Sequence, residues 1–248
     1  MRTEQLRHMI VGDASQTPTQ FDYKLLRLLI GVIAFLIPLS AWLLAPSAPS
    51  ISDSYHVDPP ARNFFVGQLF VVASFLFAYN GRTNTQLVLS KVAAFLAVGV
   101  AVYPTDCPVT INLCTAAAAA AITPNTVHGT AAIGFFSILV IFCFIFGSTA
   151  AEKVTSDPVH RSRHALRAAF YRTIGALMAV DMVIGAYLKG TMSAAELERS
   201  QLILWVEWVA LWLFAAAWIV AGREELEKLG RAAAQKINQF LGRDSRSA

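Results

Sequence analysis

The stretch FFSILVIFCFIF at 135–146 holds one hydroxyl and no charge, and its reading decides the fold. A strand of an outer-membrane barrel alternates polar and apolar side chains over about ten residues, and this run does not alternate. With its flanks it fills 126–146, close to the ~20 residues that carry a helix across bilayer hydrocarbon. Comparable runs occupy 25–45, 63–78, 87–103, 168–188 and 201–221. The composition agrees: 56% of the 248 residues are hydrophobic, only 15% are charged, and the mean hydropathy is +0.52. A soluble domain carries about 25% charged residues. The chain therefore reads as all-α, a polytopic membrane bundle of six transmembrane helices over 25–221. A cytoplasmic N-terminal segment, 1–24, precedes it, and a cytoplasmic amphipathic tail, 222–248, follows. No connection reaches the ~50 residues of a separate domain.

The formal charge of +4 describes topology, because the basic residues are segregated. With the N-terminus inside, Arg2, Arg7, Lys24 and Arg27 lie at the start, and Arg82 and Lys91 flank the second connection. Five more between Lys153 and Arg172 flank the fourth, and six from Arg223 to Arg246 follow the last span. Only Arg62, Lys189 and Arg199 fall outside, so 17 of the 20 lie on one side. The positive-inside rule then places both termini in the cytoplasm of a plasma or bacterial inner membrane. Membrane lipids are the expected partners, with a membrane or cytoplasmic protein as a further candidate; nucleic acid is not. The first span follows 24 residues containing Glu4, Asp13 and Asp22 and precedes no small-residue cleavage site, so it reads as an uncleaved signal anchor.

On the outer side, 46–62 and 104–125 are long and rich in Pro, Ser, Thr and Asp. Cys107 and Cys114 share the second of these, where an oxidising compartment would allow a disulfide; two unpaired thiols are the alternative. Cys143 lies mid-span and reads as an apolar packer. The alanines at 116–121 form either a short interfacial helix or the first turns of span four. After span six, Leu226, Leu229, Ala233, Ile237, Phe240 and Leu241 fall near one helical face, with i,i+4 pairs Glu224–Lys228 and Glu227–Arg231. That segment either lies on the bilayer or a partner, or extends span six into solvent.

Ionisable residues inside a span are costly, by about 2.5 to 3.5 kcal/mol on insertion scales, and mark functional sites by default. Asp181 lies some seven residues before the outer end of span five, and Glu207 some six after the outer start of span six. Antiparallel spans bring both to a similar depth, roughly 10 Å below the outer surface at 1.5 Å per residue. His128 opens span four at that surface, Arg62 sits at the rim of span two, and Gln68 is deeper. The outer loops add Ser52, Asp53, Ser54, Tyr55, His56, Asp58 and Asp106. A histidine and a carboxylate can share acid and base work, with Ser54 or water as nucleophile. His128, Asp181, Glu207, Asp53, Ser54 and His56 form the expected catalytic set, and Arg62, Gln68, Asp58 and Asp106 the binding set. The competing reading is structural, with His128 capping its helix and the carboxylates hydrogen-bonding between helices. His56, Asp58 and His128 have metal-ligand chemistry, but their spacing matches no zinc pattern, and neither metal nor cofactor is expected. HRSRH at 160–164 places two histidines one turn apart, yet lacks the glutamate of HExxH and falls on the cytoplasmic side; it reads as a lipid-contacting basic segment. No phosphate-binding glycine loop, dinucleotide fingerprint or GxSxG elbow is present.

Three segments carry a family likeness. PSISD at 49–53 with PP at 59–60 and FFVG at 64–67, VHGTAAIGFF at 127–136, and VEWVALWLF at 206–214 together resemble the Frag/DRAM/Sfk family of six-span membrane proteins. The resemblance implies a role near GPI-anchor lipid remodelling or the regulation of autophagy and lipid kinases, with Asp53, His128 and Glu207 on the family-like positions. His56, Arg62 and the Cys107–Cys114 loop have no place in that pattern. The leading expectation is a membrane protein that binds, and in an enzymatic version modifies, a lipid or lipid-linked substrate at the outer leaflet. A non-catalytic scaffold working through its basic cytoplasmic segments and a proton-coupled transporter are the alternatives.

Overall fold

Helix boundaries follow local chemistry. The computed structural model describes residues 23–108 and 124–244, and these are helical apart from their connections. In chain order they are α1 (Tyr23–Leu44), the short α2 (Ser54–Val57), α3 (Pro59–Ala78), α4 (Asn84–Val102), α5 (Pro124–Ser156), α6 (Arg161–Thr191), the short α7 (Ala194–Ser200) and α8 (Leu202–Asp244). All but α2 and α7 are long and apolar enough to cross a membrane, and the chain is an integral membrane protein. Asp58 caps α3, its Oδ1 accepting from Ala61 N at 2.7 Å, and Pro59 and Pro60 occupy positions whose N–H would be unpaired anyway. Between α3 and α4 the chain turns at Gly81, with φ of +64°. A Cβ there would lie 2.5 Å from that of Gln86. Thr83 then caps α4. Ser193 and Glu196 form a capping box on α7, and Gln201, at φ 52°, breaks α7 from α8.

Each span packs on its neighbours in sequence, and α8 packs along α1, closing a ring of six. The closure depends on two glycines. A Cβ on Gly222 would come within 2.7 Å of Leu28 N, and one on Gly31 within 2.9 Å of Ile219 N, so the α1 and α8 backbones nearly touch. One end of the ring carries Arg27, Arg82, Lys91, Lys153 and Arg172 and is called the basic end; the opposite end carries the 45–58 and 192–201 connections. At the basic end the interior is filled. Tyr79, Phe142 and Trp218 pack edge-on or tilted at centroid separations of 5.4 to 6.0 Å. Buried Arg27 donates to Tyr79 Oη from Nε at 3.0 Å and from Nη2 at 2.5 Å, with its guanidinium 4.4 Å above the Phe146 ring. Tyr79 Oη in turn donates to Gln86 Oε1 at 3.2 Å, so one phenol ties α1 to the α3–α4 turn. Lys91 Nζ donates to the Phe77 carbonyl and to Asn80 Oδ1, satisfying the end of α3.

Hydropathy locates these spans but not their lengths. α5 and α6 run well past the apolar cores at 126–146 and 168–188, so the fourth connection shrinks from 149–167 to a turn at Asp157 and one 3-10 turn, Pro158–His160. Charged and alanine-rich sequence such as AEKV at 151–154 is helix-forming yet hydrophilic, which hides it from a hydropathy reading. For the tail, the structure gives the extension: α8 continues without a break from the membrane to Asp244. Most of the N-terminal segment, the alanines at 116–121, and Cys114 with its pairing to Cys107 lie outside the described residues.

Both histidines of HRSRH take Asp157 as partner, His160 Nδ1 at 3.1 Å and His164 Nε2 at 3.3 Å from Oδ2. The His164 hydrogen bond, then those from His160, hold the Asp157 carboxyl below the usual aspartate range. A depressed carboxylate stabilises the fold above its unfolded pKa of about 3.9, and that contribution is lost as pH falls through the lower folded value.

Two outcomes follow from this packing. Gly222→Leu drives a side chain into the Leu28 backbone and should cost about 1 to 3 kcal/mol, typical of overpacking. Gly67→Leu, with no atom within 4 Å of its Cβ, should be neutral when the two are compared by thermal melting in detergent. In a carboxyl-carbon NMR titration, Asp157 should titrate below about 3.9 in the wild type and return toward that value in His164→Ala.

Candidate functional site

The chain leaving α1 cannot continue as helix through PSAPS at 46–50, and it folds back over the mouth of the ring. Ser50 and Asp53 hold this segment in a reciprocal turn. Ser50 Oγ donates to Asp53 Oδ2 at 2.6 Å and accepts from Asp53 N at 3.1 Å. Thr105 Oγ1 donates to the other Asp53 oxygen at 2.7 Å, which ties the segment to the end of α4. Burial pushes the Asp53 carboxyl above its usual range, against the lowering effect of these two hydroxyls. From α8, Glu207 reaches the same segment: Ile51 N donates to Oε2 at 2.5 Å and Ser52 Oγ to Oε1 at 3.0 Å.

Ser52 also meets a histidine. His128, buried on the first turns of α5, places Nε2 3.2 Å from Ser52 Oγ and Nδ1 2.7 Å from the Tyr103 carbonyl, the capping residue of α4. A carbonyl only accepts, so Nδ1 carries a proton. Ser52 has one proton for two neighbours, which fixes two self-consistent states. In one, imidazolium Nε2–H donates to Ser52 and Ser52 donates to a Glu207 carboxylate. In the other, a Glu207 carboxylic acid donates to Ser52 and Ser52 donates to bare Nε2. The two states hold the same number of protons and interconvert by proton hops through the hydroxyl.

Below and beside this triad lies a cavity of about 370 Å³ between α5, α6 and α8. Ser52, His128, Asp181 and Glu207 all line it, with Gly129 and Ala132 among the small residues that leave it room. A second chamber, of about 50 Å³ and almost wholly apolar, adjoins it; Ser52, Ala132, Phe136 and Glu207 line both. Asp181 is nine-tenths buried, and its Oδ2 has no hydrogen-bond partner among the described residues.

The remaining expected residues are scattered. Asp106 lines the cavity and accepts from Asn125 Nδ2 at 2.6 Å. His56 donates Nε2–H to the Thr105 carbonyl at 2.9 Å, one layer behind Asp53. Ser54 is fully buried with its hydroxyl unpartnered, outside the lining of either cavity. Asp58 is spent on its helix cap, and Gln68 Oε1 accepts from Ser40 Oγ at 2.8 Å near Pro38. Arg62 lies over the Tyr55 ring, 5.8 Å from its centroid, and does not line the cavity. Ser52 is one of the outer-loop polar residues in the sequence, but Ser54 is the expected nucleophile; Thr105, the Tyr103 carbonyl, Lys189 and Glu198 lie outside the expected catalytic and binding sets. Three serines alternate at 50, 52 and 54, and which one faces a histidine depends on loop conformation. No family model, curated protein or solved structure matches this chain.

Proposed function

We propose that the protein binds a lipid or lipid-linked substrate from the outer leaflet and transfers or hydrolyses an acyl group, with Ser52 as nucleophile and His128 as its base. The observation that carries this reading is the position of Ser52 Oγ, within hydrogen-bond reach of His128 Nε2 and lining both the polar cavity and the apolar chamber. A lipid ester has the same polarity step, its carbonyl lying between a polar head and an apolar chain. The third group that an activated nucleophile needs is the Tyr103 carbonyl, which fixes the imidazole with Nε2 toward Ser52. Attack forms the bond from Oγ to the carbonyl carbon while the hydroxyl proton passes to Nε2. Collapse of the tetrahedral intermediate breaks the ester bond, and the departing alkoxide takes that proton. Water or an acceptor alcohol then releases the acyl group from Ser52 by the same steps in reverse. Glu207, on the far side of Ser52, holds the loop in place and, as the carboxylic acid that donates to Ser52, keeps the hydroxyl proton directed at Nε2.

The positive-inside distribution supports an outward-facing cavity. The three segments that resemble the Frag/DRAM/Sfk family supply Ser52 and Asp53, His128, and Glu207, and this is consistent with a shared site. The aromatic plug at the basic end argues against a through-passage and so against the transporter reading. A scaffold is the second reading, favoured by the continuous extension of α8. It predicts that deleting 224–248 abolishes function while Ser52→Ala and His128→Ala are silent.

A fluorophosphonate with a long alkyl chain should label Ser52 in the wild type and in Ser54→Ala, and should leave Ser52→Ala unlabelled. His128→Ala should slow labelling by about 10²-fold or more, the usual range for a lost general base. No labelling of Ser52, together with a cellular lipid profile that deletion changes but Ser52→Ala and His128→Ala do not, would sink the catalytic reading.

A further inference from the structure

The charge of the cavity narrows what it can hold. Its wall carries five carboxyl side chains, Asp53, Asp106, Asp181, Glu198 and Glu207, against Lys189 and His128. A phosphate would meet a field of its own sign there, and among the described residues no arginine lines the wall: Arg62 is stacked on Tyr55 outside it. Four of the five acids, Glu198 among them, have partners in the protein. Asp53 accepts from Ser50 and Thr105, Glu207 from Ile51 and Ser52, and Asp106 from Asn125. Asp181 differs: it is nine-tenths buried on α6, lines the cavity, and leaves Oδ2 without a donor. An unpaired buried carboxylate oxygen is among the most costly groups a fold can carry, and a ligand with N–H donors removes that cost.

We infer that Asp181 is the recognition group for a primary ammonium, and that the ligand is an amphiphile with an ammonium at its polar end. This rests on the lipid-binding reading above, though not on catalysis. A primary ammonium offers three donors and no acceptor, which matches a wall rich in carboxylates. A quaternary ammonium has no N–H to give and is held by aromatic cages, whereas Phe136 is the single aromatic in this wall among the described residues. The apolar remainder of the ligand has Ala132, Ile133, Met182 and Ile203 beside it. Long-chain amines and other phosphate-free amino lipids carry this chemistry.

The test uses the full-length protein in nanodiscs and photoactivatable lipids of one tail with three heads: primary ammonium, trimethylammonium and neutral hydroxyl. Gly129→Leu serves as the blocked control, since a Cβ at that cavity position meets no atom within 4 Å. The primary ammonium probe should cross-link to α5 and α6 cavity residues about tenfold or more above the other two, as expected for one charge-assisted contact. Asp181→Asn should remove that preference, and Asp181→Glu should keep most of it. Of two competitors, a long-chain amine should displace the probe, and phosphatidylethanolamine, which brings a phosphate to the acidic wall, should displace it poorly. Equal, Gly129→Leu-sensitive labelling by all three heads would overturn the ammonium assignment while leaving the lipid site standing. Absence of cavity labelling by every probe would overturn both.

Discussion

A carboxylate within an apolar span has to find its hydrogen-bond donors inside the protein, and Glu207 finds them 156 residues away in sequence at the Ile51 amide. Insertion of such a group costs about 2.5 to 3.5 kcal/mol before any partner is found. Satisfying it draws the 45–58 segment down into the mouth of the ring, and this fixes the rest of the site. Ser52 comes to rest between Glu207 and His128, Asp53 reaches Thr105, and His56 closes on the Thr105 carbonyl behind it. The close approach of α1 and α8 at Gly31 and Gly222 sets the starting point of that segment. The loop is therefore built by the helix that follows it by five spans.

The two ends of the ring use opposite strategies. At the basic end large aromatics and Arg27 fill the interior, with the Tyr79 phenol as the joint. At the other end the wall positions are small, among them Gly129, Ala132, Gly185, Ala186 and Ala210, and the space they leave is lined with acids. The same bundle is thus sealed by large side chains at one end and open where its acids gather at the other.

Much of this was legible in the sequence, for identifiable reasons. Apolar runs mark helices because lipid tolerates nothing else with an unpaired backbone, and six of them give six spans. Antiparallel succession was enough to place Asp181 and Glu207 at one depth, and both line the cavity. Asp58 followed by two prolines announces the start of α3, four residues before the apolar run that hydropathy marks at 63. Side-chain direction in an irregular loop was not legible: Ser54 turns inward and Ser52 meets the histidine, a difference of two residues that no periodicity encodes. Topology puts Arg62 at the outer rim, but not which neighbour its side chain meets, and that neighbour is the Tyr55 ring. Tyr79 gave no signal, because its role comes from four elements converging on it.

The lengths of the cavity-lining helices carry a mechanical consequence. α5, α6 and α8 have 33, 31 and 43 residues, so all three outrun the bilayer at the basic end. In α8, about 16 Å of helix separates Glu207 from Trp218 in the plug, and about 39 Å separates Trp218 from Asp244, at 1.5 Å per residue. A rod pivoting at the plug is a lever with arms in a ratio of more than two. A sideways shift of about 1 Å at Glu207 becomes more than 2 Å, in the opposite sense, at the far tip. A ligand that pushed Glu207 aside would, on this geometry, move the far tip of α8 with no passage between the two ends.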